Sequence, residues 1–122
     1  MIEFDGSEDY LSVADNADLD FAGTAAFTLE AWIRPDALDV EDNILDKSAD
    51  DDSSVNYRFL TRGGGKLTLF GGTAAPTNIV ETAAGAITTG AWQHVAAVYD
   101  NGSVTLYVNG TAQLTFQDDG SA

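Results

Sequence analysis

Apolar residues in this chain recur at every second position, in short runs set between turn-forming residues. Within Phe27 to Arg34, the residues Phe27, Leu29, Ala31 and Ile33 fall on one side, and Thr28, Glu30, Trp32 and Arg34 on the other. Val104, Leu106 and Val108 alternate with Thr105 and Tyr107 in the same way, and Leu114 and Phe116 continue the pattern. A period of two marks a strand with one face buried. Further strands are expected at Asn43 to Lys47, Tyr57 to Arg62, Lys66 to Phe70, Trp92 to Tyr99 and around Ile79 to Thr82. With Ile2 to Phe4 and Tyr10 to Val13 the chain reads as roughly ten strands, with no helical period of useful length.

The turns agree with this. Asp100-Asn-Gly102 and Asn109-Gly110 separate alternating runs, and Asn-Gly supplies the positive φ that tight antiparallel hairpins need. Gly63-Gly-Gly65 joins another pair. Ala14 to Ala26 reads as a loop in which Leu19 and Phe21 plug the edge of a sandwich. Asp36 to Asp42, Ser48 to Ser54 and Gly71 to Asn78 read as polar connections, the kind of segment that carries binding on a rigid scaffold. Gln117 to Ala122 reads as a solvated tail. The expected fold is a single all-β domain over residues 1–122, an antiparallel two-sheet β-sandwich.

Charge narrows the choice of partners. Twenty acidic residues face five basic ones, for a net charge of −15. Such a surface repels nucleic acid and anionic membranes, so neither is an expected partner. Asp exceeds Glu, as in a solubility shell suited to saline water. Cysteine is absent, which removes disulfides and thiolate metal sites. No apolar run approaches the ~20 residues that span a bilayer, and no secretory leader is visible. The chain reads either as a product made without a secretion signal or as a piece of something longer.

Five blocks, in order, carry a family resemblance. They are Phe4-Asp-Gly-Ser7 leading into Tyr10-Leu-Ser-Val13, Phe27-Thr-Leu-Glu-Ala-Trp-Ile-Arg-Pro35, Ile44-Leu-Asp-Lys-Ser48, Trp92-Gln-His-Val-Ala-Ala-Val-Tyr99 and Leu106-Tyr-Val-Asn-Gly110. Together they cover nearly the whole chain, which resembles the laminin-G-like, non-catalytic branch of the concanavalin A-like lectin/glucanase jelly rolls. The resemblance implies a concanavalin A-like jelly roll, shortened at the C-terminus because relatives continue to a closing strand beside the first. It also implies packing roles for Trp32 and Trp92 and a structural role for His94. An opening strand without that neighbour is a template for strand addition, so a homo-oligomer or larger assembly is expected.

Candidate chemistry is sparse. Retaining glycosidases need two carboxyl groups about 5–5.5 Å apart, and glucanases of this fold carry them in a Glu-x-Asp-x-x-Glu strand. Here only the fragment Asp39-x-Glu41 is present, in a polar loop. His94 is the single histidine, so a histidine metal triad is excluded. Its alternation with Trp92, Ala96 and Val98 gives it a hydrogen-bonded packing role. The chain is read as no enzyme.

Calcium is the one cofactor the resemblance brings in. Asp5 matches the opening motif, Gly6 could offer a carbonyl, and Asp51 within Asp50-Asp-Asp52 could add a carboxylate, as could Asp118-Asp119. Runs of Asp on loops are otherwise simply solvated. Asn43, Arg58, Arg62 and Asn78 offer rim hydrogen bonds to a glycan. Tyr57, Tyr99 and Tyr107 can face either the core or a concave sheet. The Asn-Gly-Ser and Asn-Gly-Thr triplets fit glycosylation sites but are fully explained as turns. The function expected is a surface-recognition or structural module contacting protein or glycan through its loops, extracellular or on a virion surface as a decoration or fibre protein. The alternative is a calcium-dependent carbohydrate-binding module excised from a secreted enzyme or adhesin.

Overall fold

The computed structural model describes residues 1–21, 25–48, 55–71, 79–101 and 103–118. Among these it contains a single 3-10 turn at Ala17–Leu19 and nine strands. They are β1 (Phe27–Ile33), β2 (Asp42–Ser48), β3 (Val55–Arg62), β4 (Lys66–Gly71), β5 (Ile79–Thr82), β6 (Gln93–Asp100), β7 (Ser103–Val108), β8 (Thr111–Ala112) and β9 (Thr115–Asp118). One sheet has the order β1-β6-β7-β8, the other β2-β3-β4-β5-β9, and every pairing is antiparallel. This is the expected two-sheet sandwich.

The period of two decides what enters the core. Leu29, Val95, Ala97, Leu106 and Val108 from the β1 sheet meet Tyr57, Phe59, Leu67 and Leu69 from the β3 sheet in one buried cluster. Phe59 and Leu67 are wholly buried. Removing a phenyl ring at such a site costs about 3–5 kcal/mol, which is why these positions stay large and apolar. Phe21 closes one end as expected, stacked on Phe27 at 4.7 Å between ring centroids and tilted against Tyr57 at 5.6 Å. Leu19 instead remains exposed on the 3-10 turn.

The hairpin turns form as the sequence requires. Asn101 and Asn109 both take positive φ, and Gly110 follows Asn109 with φ +77°. The β3–β4 tip does more than turn. Gly64 and Gly65 carbonyls accept hydrogen bonds from Gly85 and Ile87 at 2.8 and 2.9 Å, docking the segment after β5 so that Ile87 plugs the core. Buried Gln93 fixes the approach to β6, its amide donating to the Thr88 and Ala91 carbonyls and its oxygen accepting from Thr88 N–H.

Three expectations are corrected. Ile2 to Phe4 and Tyr10 to Val13 are not strands, and neither sheet includes them. Their alternation is real, but a strand exists only where a neighbour supplies hydrogen bonds, and none of the described residues does so. Leu114 and Phe116 do not prolong the β7–β8 ribbon, because after Ala112 the chain crosses to the other sheet. There β9 pairs with β5 from Thr82↔Thr115 to Ile79↔Asp118. The expected tail therefore begins too early, since Gln117 and Asp118 lie in β9. The β5 edge pairs through backbone groups, whatever side chains they carry.

The segment before β1 is tied to the sandwich by charge. Lys47 on β2 reaches both Asp15 and Asp20, the latter at 3.1 Å. The Lys47 hydrogen bond, reinforced by its charge, holds the Asp15 carboxyl below its ordinary value, and the Lys47 ammonium is raised in turn.

Two outcomes are expected. Gly65 has φ +75°, and a Cβ there would sit 2.3 Å from the Ile87 carbonyl oxygen, whereas Gly85 has open space around it. Gly65→Ala should destabilise by at least about 2 kcal/mol, and Gly85→Ala by about 1, in urea unfolding. An NMR titration of the Asp15 carboxyl should give a midpoint below the ~3.9 of free Asp, returning upward in Lys47→Met. Because its folded value is depressed, the stability this tether adds is present above the unfolded value and lost as pH falls through the folded one.

Candidate recognition surface

The outer face of the β1 sheet carries the residues that the alternation excludes from the core. Glu30 lies opposite Ala96, which lies opposite Tyr107, and Tyr107 lies opposite Ala112. One step along, Trp32 is opposite His94. Trp32 is 65% exposed, and Trp92, two residues before His94, is 47% exposed. The indole of Trp32 meets the His94 ring edge-on at 5.3 Å, and His94 Nε2 stands 3.8 Å from Glu30 Oε2. Asn109 Oδ1 accepts the His94 backbone N–H at 3.0 Å, so the β7–β8 turn also steadies this row. Alanine at 96 leaves a shallow floor between longer neighbours.

Trp32 and Trp92 are therefore not packing residues, which corrects the reading drawn from resemblance. The period of two already placed Trp32 with Thr28, Glu30 and Arg34, on the polar side. His94 shares that outer face and is half-buried there, against Trp32.

The outer face of the β3 sheet looks different. Arg62 bonds Glu41 at 2.8 Å and Glu81 at 3.2 Å, and Lys66 takes the other Glu81 oxygen at 2.8 Å. Arg58 bonds Asp46 at 3.0 Å and Ser48 at 3.2 Å. These side chains lie around Leu60, Thr68 and Ile79, all buried although they fall outside the main core cluster. Both oxygens of Glu81 are held by cations, so neither is presented to a substrate. Asp39 and Glu41 form no strand, and Glu41 serves Arg62. This face is a self-neutralised lattice.

Of the metal candidates Asp5, Gly6 and Asp51, the described residues include Asp5 and Gly6. Asp5 Oδ1 accepts Ser7 N–H, and Asp9 Oδ2 accepts Asp5 N–H, both at 2.9 Å, forming a turn with Gly6 at φ +84°. One oxygen of the Asp5 carboxylate is thus engaged by the backbone of its own turn. Asp51, with Asp50, Asp52 and Asp119, lies outside the described residues. Among the described residues no three His, Asp or Glu side chains come together to hold a metal ion. Of the rim groups, Arg58 and Arg62 lie on the β3 sheet and Asn43 donates to Asp46 at 3.2 Å, while Asn78 is outside the described residues. Tyr57 is in the core, Tyr99 stacks on Phe27 at 5.2 Å, and Tyr107 faces outward.

The sandwich geometry agrees with comparison to known families. The chain belongs to the laminin-G-like family of the concanavalin A-like lectin/glucanase superfamily, whose profile matches residues 5–122. Its members are carbohydrate- or protein-binding modules, generally non-catalytic and typically extracellular, within a superfamily that also includes glucanases. Comparison with curated proteins and with solved structures gave no match. Among the described residues no helix is long and apolar enough to cross a membrane.

One outcome tests the β3 face. The Thr68 hydroxyl is buried without a hydrogen-bond partner among the described residues. Thr68→Val should be neutral or stabilising by up to about 1 kcal/mol in thermal or urea unfolding, since it removes a polar group that has lost its water.

Proposed function

We propose that this domain is a non-catalytic recognition module that binds a glycan on the outer face of the β1 sheet. The observation that carries this is Trp32, a largely exposed indole on a regular strand, braced by His94. A rigid aromatic plane beside hydrogen-bonding groups suits the C–H face of a pyranose, with Glu30, His94 and Tyr107 placed for its hydroxyls. An exposed indole contributes nothing to the core, so its presence on a strand favours contact with something else.

The second reading, an exposed component of a larger assembly such as a virion, is supported by the unpaired apolar segment Tyr10 to Val13. The alternative of a calcium-dependent carbohydrate module would draw its ion from Asp5, Gly6 and Asp51.

The test is a polysaccharide and oligosaccharide binding screen, followed by titration of any ligand found. Trp32→Ala should weaken binding on the order of tenfold, about 1.4 kcal/mol, while unfolding stability changes by less than about 0.5 kcal/mol. Glu81→Gln, on the opposite sheet, should leave affinity unchanged. Unaltered binding by Trp32→Ala would remove this surface from consideration, and loss of binding on adding a chelator would favour the calcium alternative.

A further inference from the structure

The long open edges of the two sheets are not equally protected. β2 is broken by register shifts at Asn43/Leu45 and Lys47/Ser48 and carries Asp42, Asp46 and Lys47. Bulges and charges are the usual guards of an exposed edge. β8 has two residues and β9 four. β1 has seven residues in unbroken register with β6, one charge at Glu30, and nothing paired to its outer side among the described residues. Its inward side chains Phe27, Ala31 and Ile33 are only partly covered, although they pack on the core. This edge has the form of a strand lacking a neighbour.

The chain also holds a segment lacking a sheet. Leu11 is 69% exposed and Val13 83%, and Ile2, Phe4 and Tyr10 are exposed with them. The Asp5–Asp9 turn separates Ile2 to Phe4 from Tyr10 to Val13, and the Lys47 contacts hold Asp15 and Asp20 at β2. Phe21 then packs on Phe27, so the segment departs near the start of β1. Clusters of large apolar side chains left in water mark interaction sites.

We infer that Tyr10 to Val13 of one copy adds as a strand to the β1 edge of a second copy, reciprocally, giving a two-fold dimer. This goes beyond the glycan reading and stands independently of it. The pattern fits in phase: with Leu11 and Val13 on the inner side they extend the row of Phe27, Leu29, Ala31 and Ile33. Tyr10 and Ser12 then continue the outer row of Thr28, Glu30 and Trp32. Two exchanged segments, with the apolar side chains that accompany them, bury on the order of 1,000 Å² or more, the size of a specific interface. A second copy is the occupant because each chain carries both the unpaired segment and the unpaired edge, and isologous exchange satisfies both at once. The excess negative charge of each copy opposes this contact, so association strengthens as salt rises.

Sedimentation equilibrium of the whole chain should show a concentration-dependent dimer, favoured at higher ionic strength. Leu11→Ser with Val13→Ser should return the mass to one chain, with thermal unfolding of the sandwich and near-UV circular dichroism unchanged. The chain has no cysteine, so engineered pairs report cleanly. Ser12→Cys in one preparation and Thr28→Cys or Glu30→Cys in another should form a disulfide between chains on mixing and oxidation. A monomer at every concentration, a dimer indifferent to the Leu11 and Val13 changes, or a disulfide formed only within one doubly substituted chain would each overturn the proposal.

Discussion

The pairing of β1 with β6, seven residues in unbroken antiparallel register from Phe27↔Tyr99 to Ile33↔Gln93, is the constraint on which the rest depends. A slip of one residue would send Leu29 and Val95 into water and Trp32 and His94 into the core. The core cluster, the exposed indole and the regular outer edge are three consequences of this one register. What holds it is unequal chemistry on the two faces: the inner side chains of β1 are all apolar, whereas the outer ones include Thr28 and Glu30. Gln93, tied to Thr88 and Ala91, pins one end of the register, and the stack of Phe21, Phe27 and Tyr99 pins the other.

Electrostatics act differently on the two sheets. Four of the five cations, Lys47, Arg58, Arg62 and Lys66, lie on β2, β3 and β4, and each is engaged with carboxylates. In the segment before β1, Lys47 engages Asp15 and Asp20, whereas Glu3, Asp5, Glu8, Asp9 and Asp18 make no ion pair with a cation among the described residues. Individual surface pairs of this kind contribute little. Those of Arg58, Arg62 and Lys66 share the outer face of the β3 sheet with Leu60 and Ile79, both buried, whereas the outer face of the other sheet exposes Trp32. Self-repulsion among the excess acids falls as salt rises.

The sequence made the fold legible because a sandwich writes itself in local terms, as alternation and Asn-Gly turns. β1, β3, β4, β6 and β7 could be placed to within a residue or two for that reason. What could not be read locally was pairing. Tyr10 to Val13 has the same alternation as β7 yet no strand partner among the described residues, and Gln117 and Asp118 have polar side chains yet pair with β5. The position of Trp32 was misread for another reason: resemblance assigned it to packing while its own phase placed it outside. Where a family pattern and the period of two disagree about one side chain, the period is the stronger guide, because it is fixed by backbone geometry.

The open edge and the aromatic face are two sides of one strand, which links the two proposals physically. A strand laid against β1 with Leu11 and Val13 inward necessarily presents Tyr10 on the outer face, in the row that holds Glu30 and Trp32. The added strand would widen that face by one interstrand spacing, about 4.8 Å, and add a second amphipathic ring to it. It would also cover the exposed flank of β1, restricting the backbone that carries Trp32. A stacking platform gains affinity when its aromatic plane is held still before the ligand arrives. Assembly and recognition would then be coupled through β1 itself, with self-association preorganising the surface and no conformational change required elsewhere in the sandwich.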